Sequence, residues 1–332
     1  MRLAIIADIH GNLPALEAVM AELERRQPDV VIVDGDLINA VPFSGGVVDT
    51  IRAQDWLVVR GNHEFYYLNF GTERDVSGSK DADRWGQLHW LVEHLTPEQG
   101  RYLAALPDDL SLFFSNTRPL RVAHGVPGHN RRGFVPEQPD EEIVVTLRER
   151  VEDDLLITAH THVQFDRQVR SPASRTKYDT NPHSYHDARA NEARRWRIIN
   201  PGSVGLPLNG DVRAQFVLLD SVSPDAEFGG WRATHVRVPY DRRPALRAYE
   251  TSGMLAAGGV MSTLFYWELV TAEREIPYFF RWARKHDANP KETAMREAFA
   301  AYVAATGRDQ YVRQRDPLFN GGEMNVPSPH YG

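Results

Sequence analysis

The chain has 332 residues, of which 42% are apolar and 25% charged, and a formal net charge of −7. That length can bury a large core and exceeds an average domain, so one large domain with an appendage is expected. The acidic balance argues against a general nucleic-acid binder, which presents a basic surface. It leaves room for a small phosphorylated substrate, because bound cations would set the local charge. With no cysteine in the chain, disulfides and thiolate metal sites are excluded. Met1 to Ile6 is apolar but far too short for a signal peptide, and Asp8 interrupts it. No run reaches the roughly 20 apolar residues of a membrane span, so a cytoplasmic, non-membrane protein is expected.

In chain order, Leu3 to Ala7 reads as a buried strand. Asn12 is placed to cap a helix with Leu13, Leu16, Met20 and Leu23 on one face, ended by Gln27-Pro28-Asp29. Val30 to Val33 is the second strand, completing a right-handed βαβ unit. Val47 to Ala53 reads as the next crossover helix and Trp56 to Val59 as the third strand. Phe65 to Leu106 is mostly helical, with Trp85, Leu88, Leu91 and Leu95 on one face. Thr96-Pro97-Glu98-Gln99 forms a capping-box pattern. Leu112–Phe114 and Leu120–Ala123 read as a hairpin around Asn116-Thr117-Arg118-Pro119. Asp140 is expected to cap a helix through Val151, before a strand from Leu155 to Thr158.

Residues Arg170 to Arg195 are polar and turn-rich, a long excursion. Trp196–Ile199, Ala214–Leu219 and Ala233–Val238 read as strands of a second, more antiparallel sheet packed on the first. From Asp241 the pattern turns helical. Ser262 to Lys285 is strongly aromatic, with a break expected at Pro277. Asn289-Pro290 opens a helix whose face is Met295, Ala298, Phe299, Tyr302 and Val303, ended by Gly307. Asp309 to Gly332 has no periodicity and reads as a loose tail. The domain division is 1–240 and a helical extension, 241–332. Packing of that extension on the sheets is expected first, and a homodimer through it second.

Five of the β-like runs end in Asp, Asn or His: Asp8-Ile9-His10, Asp34-Gly35-Asp36, Gly61-Asn62-His63-Glu64, His124-Gly125 and His160-Thr161-His162. In open α/β sheets, ligands bind beyond the carboxyl ends of the strands, so these tips should converge. Along a strand, residues i and i+2 share a face about 6.6 Å apart, which would point Asp8 with His10, and His160 with His162, into one cavity. Adding Asp36, Asn62 and His124 gives two carboxylates, one amide oxygen and four imidazoles. Oxygen and nitrogen donors without sulfur suit Mn²⁺, Fe or Zn²⁺. Seven donors exceed what one ion with an open position needs, and fit two ions about 3.5–4 Å apart sharing one carboxylate.

The order of these motifs resembles the calcineurin-like metallophosphoesterase superfamily. Asp8-Ile9-His10-Gly11-Asn12-Leu13-Pro14 and Asn200-Pro201-Gly202-Ser203 also resemble its small bacterial branch of YfcE-type phosphodiesterases. The likeness covers residues 1 to about 240. It implies a four-layer αββα sandwich, with two packed mixed sheets flanked by helices, plus the C-terminal helical extension. It further implies two divalent metal ions, Mn²⁺ foremost, with Fe, Zn, Ni, Co or Mg as others. Asp8, His10 and His162 would hold the first ion, and Asn62, His124 and His160 the second. Asp36 would bridge them, and His63 would act as the acid while a hydroxide shared by the ions attacks a phosphate ester.

The chain departs from the family at Ala7, where serine is common, at Ala159, where glycine is usual, and at Asp34, where an apolar residue is common. Ala159 is expected to tighten its turn and shift His160. Asp34 is either a partner behind the ligands or a turn carboxylate. The Asn200–Ser203 turn is expected to be structural, and His129, His183 and His186 solvated. Arg131 and Arg132 are weighed against a substrate phosphate and assigned to a solvated loop.

Three functions compete: a phosphodiesterase of small or nucleotide-type molecules, a phosphoprotein or phosphomonoester phosphatase, and a catalytically silent metal-binding scaffold for protein partners. The complete ligand set and His63 favour an enzyme. The segment Leu37-Ile38-Asn39-Ala40 lacks the Asp-Arg-Gly of the protein-phosphatase branch, which places that reading lower.

Overall fold

The computed structural model describes residues 1–151, 153–171, 193–288 and 294–320. Most of the polar excursion, with His183 and His186, the Asn289-Pro290 cap and the end of the tail lie outside the described residues.

The chain begins with β1 (Arg2–Ile6), α1 (Leu13–Arg26) and β2 (Val30–Asp34), followed by α2 (Ser44–Arg52), β3 (Leu57–Val59) and α3 (Asn62–Asn69). Then come α4 (Ala82–His94), α5 (Pro97–Ala105), β4 (Asp109–Leu112), β5 (Leu120–Ala123), α6 (Asp140–Arg150) and β6 (Leu155–Ile157). Next are β7 (Phe165–Ser171), β8 (Arg194–Asn200), β9 (Ala214–Ser221) and β10 (Trp231–Val238). The C-terminal helices are α7 (Arg243–Thr251), α8 (Met254–Ala257), α9 (Gly259–Thr271), α10 (Glu275–Lys285), α11 (Met295–Thr306) and α12 (Arg308–Arg313).

The strands form two five-stranded mixed sheets, ordered β10-β9-β1-β2-β3 and β4-β5-β6-β8-β7. In the first, β1, β2 and β3 run parallel, while β9 and β10 add antiparallel on the other side of β1. In the second, β5, β6 and β8 are parallel, flanked by antiparallel β4 and β7.

Alternation along the strands builds the layers. Leu3, Ile5 and Ile32 meet Leu120, Leu155, Ile157 and Ile199 in the core between the sheets. Ala4, Ile6, Val31 and Val33 face the other way, onto α1, α2 and α4. Leu156, Trp196 and Ile198 face Ile143 and Leu147 of α6. Both faces of the central strands are buried, which is why they read as continuous apolar runs. The result is the expected four-layer αββα sandwich.

Some local signals act as written. Asn12 Oδ1 caps α1 by accepting from Ala15 N at 3.3 Å, Thr96 and Gln99 complete a capping box, and left-handed Gly307 closes α11. Others do not. β9 and β10 join the first sheet rather than building the second, because β9 pairs with β1. The described ends of the excursion are strands: β7, not foreseen, pairs along β8, which itself starts earlier than expected. Asp140 is the first helical residue, not a cap, and its carboxylate pairs with Arg167. The aromatic segment breaks at left-handed Ala272 instead of Pro277, which sits in the first turn of α10 where a missing N–H is harmless. The tail is helical over α12, and Asp316 beyond it is buried on Tyr266.

The C-terminal helices share the core of the first helical layer. Leu246, Tyr249, Leu264, Trp267, Phe279 and Tyr302 are buried in the same cluster as Leu16, Val47 and Leu88. Arg296 of α11 pairs with Asp83 at the start of α4. No helix among the described residues is long and apolar enough to cross a membrane.

One turn ties the sheets together beneath their strand ends. Ser203 Oγ donates to Asp8 O at 2.7 Å, and Asn200 Nδ2 donates to Ala159 O at 3.1 Å. Asn12 Nδ2 donates to Gly205 O at 2.8 Å. Backbone closes so tightly here that a Cβ on Gly205 would lie 1.8 Å from Ile9 O. Gly205→Ala should therefore destabilise by about 2–3 kcal/mol and weaken metal uptake, since Ile9 separates Asp8 from His10. An unchanged melting curve would show that this turn does not clamp the strand ends.

Candidate metal centre

β1 ends two residues before Asp8 and β6 three before His160, so the paired side chains are not strand neighbours as the i, i+2 spacing implied. Instead Asp8 (φ 52°), His10 (φ 53°), Asp36 (φ 51°), His160 (φ 67°) and His162 (φ 58°) all take the left-handed conformation. For residues with a Cβ each such position costs on the order of 1–3 kcal/mol and persists only where the surroundings impose it. The imposition is visible: Asp8 N donates to Gly35 O at 3.1 Å and His10 N to Asp36 O at 2.9 Å, while Ala159 N donates to His124 O at 2.9 Å. Ala159 itself keeps an ordinary φ, so alanine fits where glycine was expected.

All seven candidate ligands meet at one place. Asp8 Oδ1 lies 3.5 Å from His162 Nε2 and 3.9 Å from His10 Nε2, and those two ring nitrogens are 3.1 Å apart. Asn62 Oδ1 lies 3.0 Å from His124 Nε2 and 2.7 Å from His160 Nδ1. Asp36 stands between the two groups, with Oδ2 3.7 Å from His10 Nε2 and 3.1 Å from His124 Nε2. Asp8 with His10 and His162, and Asp36 with His124 and His160, are each compact enough to hold one ion. His63 also borders the cluster, its Nε2 4.0 Å from Asp36 Oδ2.

The rings are aimed by backbone carbonyls. His124 Nδ1 lies 2.9 Å from Asp34 O, and His162 Nδ1 2.6 Å from Leu206 O. The second nitrogen of each is thereby turned to the cavity, the arrangement typical of metal-binding histidines. Burial pushes His10 well below the usual imidazole range, His160 down to about 4 and His162 to about 3. Burial opposes charge on His124 too, but Asp36 and Asp8 outweigh it and raise that ring. Asp8 is raised by burial, whereas Asp36 is held low by His124 and His63 against the same burial.

The residues fit a pair of cations. Asp8 Oδ1 is fully buried with no hydrogen-bond partner, although three imidazole nitrogens surround it. Neutral imidazoles and a buried carboxylate without a donor are what a divalent ion requires.

Several contributors were not visible in the sequence. Glu64 is fully buried and accepts from Asp36 N, Leu37 N and Gly61 N at 2.9, 2.8 and 2.7 Å, strapping the loop of Asp36 to the start of α3. Asn39 Nδ2 lies 2.9 Å from His63 Nδ1, while its own Oδ1 accepts from Ala40 N at 2.8 Å. That second bond fixes the amide orientation, so Asn39 donates to Nδ1 and the His63 proton resides on Nε2. Tyr66 stacks edge-on with His63, and Phe265 of α9 approaches the same ring at 6.3 Å. Only the motif context of Glu64 and the short offset of Asn39 from Asp36 hinted at any of this.

A cleft of about 480 Å³ opens beside His124, lined by Phe65, Asn69, Asp108, Gly128, His129 and Arg131. The loop expected to be solvated thus forms its rim, with Arg131 and His129 exposed.

A two-sheet α/β sandwich with buried aspartate and histidine clusters at its strand ends is an architecture that can hold metal ions. Residues 1–164 belong to the calcineurin-like phosphoesterase family, whose pattern they match. All seven candidate ligands fall within that span. Over 259 residues the chain is 26% identical to the uncharacterized protein MJ0912 of Methanocaldococcus jannaschii, covering 75% of this chain and 90% of that one. It superposes with a TM-score of 0.55 and 25% identity on the metallophosphoesterase from Sphaerobacter thermophilus, covering 78% of this chain and all of the other. Its fold also matches the hypothetical protein PH1004 from Pyrococcus horikoshii, with a TM-score of 0.57 and 20% identity over 79% and 95% of the two chains.

Asp34 stands behind the ligands through its backbone and not through its carboxylate. Its carbonyl accepts from His124, but both carboxylate oxygens are buried without partners. Burial lifts the group from 3.8 to about 7. Because the folded value exceeds the unfolded one, ionisation opposes folding: the penalty is absent below pH 4, grows from pH 4 to 7 and is complete above. Metal-free Asp34→Asn should therefore gain stability relative to the parent as pH rises from 4 to 8, by at most about 4 kcal/mol. Melting temperatures of both proteins across that range test this, and a gap flat with pH would sink it.

Proposed function

We propose that this protein is a dinuclear metal-dependent phosphoesterase acting on small phosphodiesters or nucleotide-type molecules. The observation that carries the reading is the position of Asp36 between two ligand groups, Asp8-His10-His162 and Asn62-His124-His160. In this reading those groups would hold one divalent cation each, with Asp36 as a ligand available to both. Bound there, the cations supply Lewis-acid polarisation of phosphoryl oxygens and acidify water.

The chain's own residues do the rest. His63 has its Nδ1 occupied by Asn39 and presents Nε2–H beside Asp36. Burial lowers its pKa, so it enters the reaction as a neutral imidazole whose Nε2–H hydrogen-bonds the leaving oxygen and steadies the charge that develops there. Tyr66 and Phe265 wall that ring and keep water from it. Glu64 holds the Asp36 loop against Asn62, so the two groups stay in register.

The experiment is hydrolysis of bis-p-nitrophenyl phosphate by protein loaded with Mn²⁺, Fe or Zn²⁺. Turnover stimulated by metal is expected, Mn²⁺ foremost, and a well-loaded preparation inert towards diesters and monoesters would leave the scaffold reading. His63→Ala should keep both metals and lose roughly 10²–10⁴ in rate. If metal content falls together with rate, His63 is a ligand and not the donor to the leaving oxygen.

A further inference from the structure

The charged side chains around the cleft are not equivalent. Asp108 accepts from Arg60 Nε at 2.9 Å, and Asp109 pairs with Arg121 at 2.8 Å. Arg60 also covers the Phe65 ring at 4.8 Å. Arg131 has no carboxylate within ion-pairing distance among the described residues. Its guanidinium lies over the Tyr66 ring, 4.7 Å from the centroid. Tyr66 in turn stacks edge-on with His63 at 5.5 Å. A planar cation parked on an aromatic face keeps its donor edge available for a planar or tetrahedral oxyanion.

The loop that carries Arg131 is held in place. Val126 N donates to Arg132 O at 2.7 Å, His129 N to Val126 O at 2.6 Å and Arg132 N to His129 O at 3.0 Å. A Cβ on Gly125 would meet Arg132 O at 2.5 Å. Thr161 Oγ1, next to His160, donates to Phe134 O at 3.0 Å. The loop is thus fixed beside a candidate ligand, and such pre-organisation reduces the entropy lost when an anion binds. Arg131 lines the cleft, and of the seven candidate ligands only His124 is in that lining, so the guanidinium stands at the cleft rim beside the buried ligand cluster. A cleft of about 480 Å³ holds far more than one phosphate.

Resting on the phosphoesterase reading, we propose that Arg131, braced on Tyr66, determines specificity by holding a second phosphate of the substrate, apart from the reacting phosphorus. The preferred substrates are then phosphoesters that carry a further phosphate, of the kind found in nucleoside bisphosphates and polyphosphates.

A matched pair of chromogenic diesters tests this: thymidine 5′-(p-nitrophenyl phosphate), and the same compound bearing a 3′-phosphate. With the Mn²⁺-loaded protein, kcat/KM should be about tenfold higher for the 3′-phosphorylated compound, mostly through KM. Arg131→Gln should bring that ratio close to one, and Arg131→Lys should keep part of it. A ratio near one in the parent, or an equal loss on both compounds in Arg131→Gln, overturns the proposal. Calorimetric binding of thymidine 3′,5′-bisphosphate against thymidine 5′-phosphate makes the same comparison without turnover. Tighter bisphosphate binding that depends on Arg131, in a protein that cleaves neither diester, supports the proposal and rejects the hydrolase reading alone. Equal binding of the two by the parent rejects the proposal alone.

Discussion

The structure turns on an excess of buried negative charge. Asp8, Asp34, Asp36 and Glu64 are all within the protein, at most 1% exposed, around four imidazoles of which three are driven neutral by the same burial. Buried carboxylates survive when paired, hydrogen-bonded or coordinated. Glu64 is satisfied by backbone donors and Asp36 is engaged by His124 and the His63 amide. Asp8 and Asp34 are left with unpartnered oxygens. Divalent cations would resolve that imbalance, and much of the surrounding geometry makes sense as preparation for them.

That preparation is costly in backbone terms. Five of the seven candidate ligands sit on left-handed residues. The sheets hold them there by bonding each strand end to its neighbour, and the Asn200–Gly205 turn closes the gap between the two sheets. Rigid packing on both faces of each sheet supplies the stability against which such strain can be maintained. Orientation of the rings then follows from carbonyls at the end of β2, Asp34, and in the loop after β8, Leu206.

The wall of the site has a different origin from its floor. The floor comes wholly from residues 1–164, the span that matches the family. The wall includes Phe265, from a helix well beyond that span, which reaches His63 because α9 packs on α4 and shares its core. The same floor can therefore sit under different walls, and in the proposed reading substrate choice would rest with residues that line them, such as Tyr66 and Arg131.

Residue types and their order determined the strands, the caps at Asn12, Thr96 and Gly307, and the identity of the seven side chains that meet. Those are properties of short segments: apolar alternation, helix-end chemistry and donor-rich strand tips. The tertiary structure alone decided how the tips converge, since the i, i+2 spacing suggested strand geometry and the chain uses left-handed turns held by partners about 30 residues away. It also decided that β9 and β10 extend the first sheet, that Pro277 opens a helix, and that Glu64, Asn39, Tyr66 and Arg131 serve the site. Each of these depends on contacts between segments distant along the chain, and local propensity carries no record of which segment will arrive opposite.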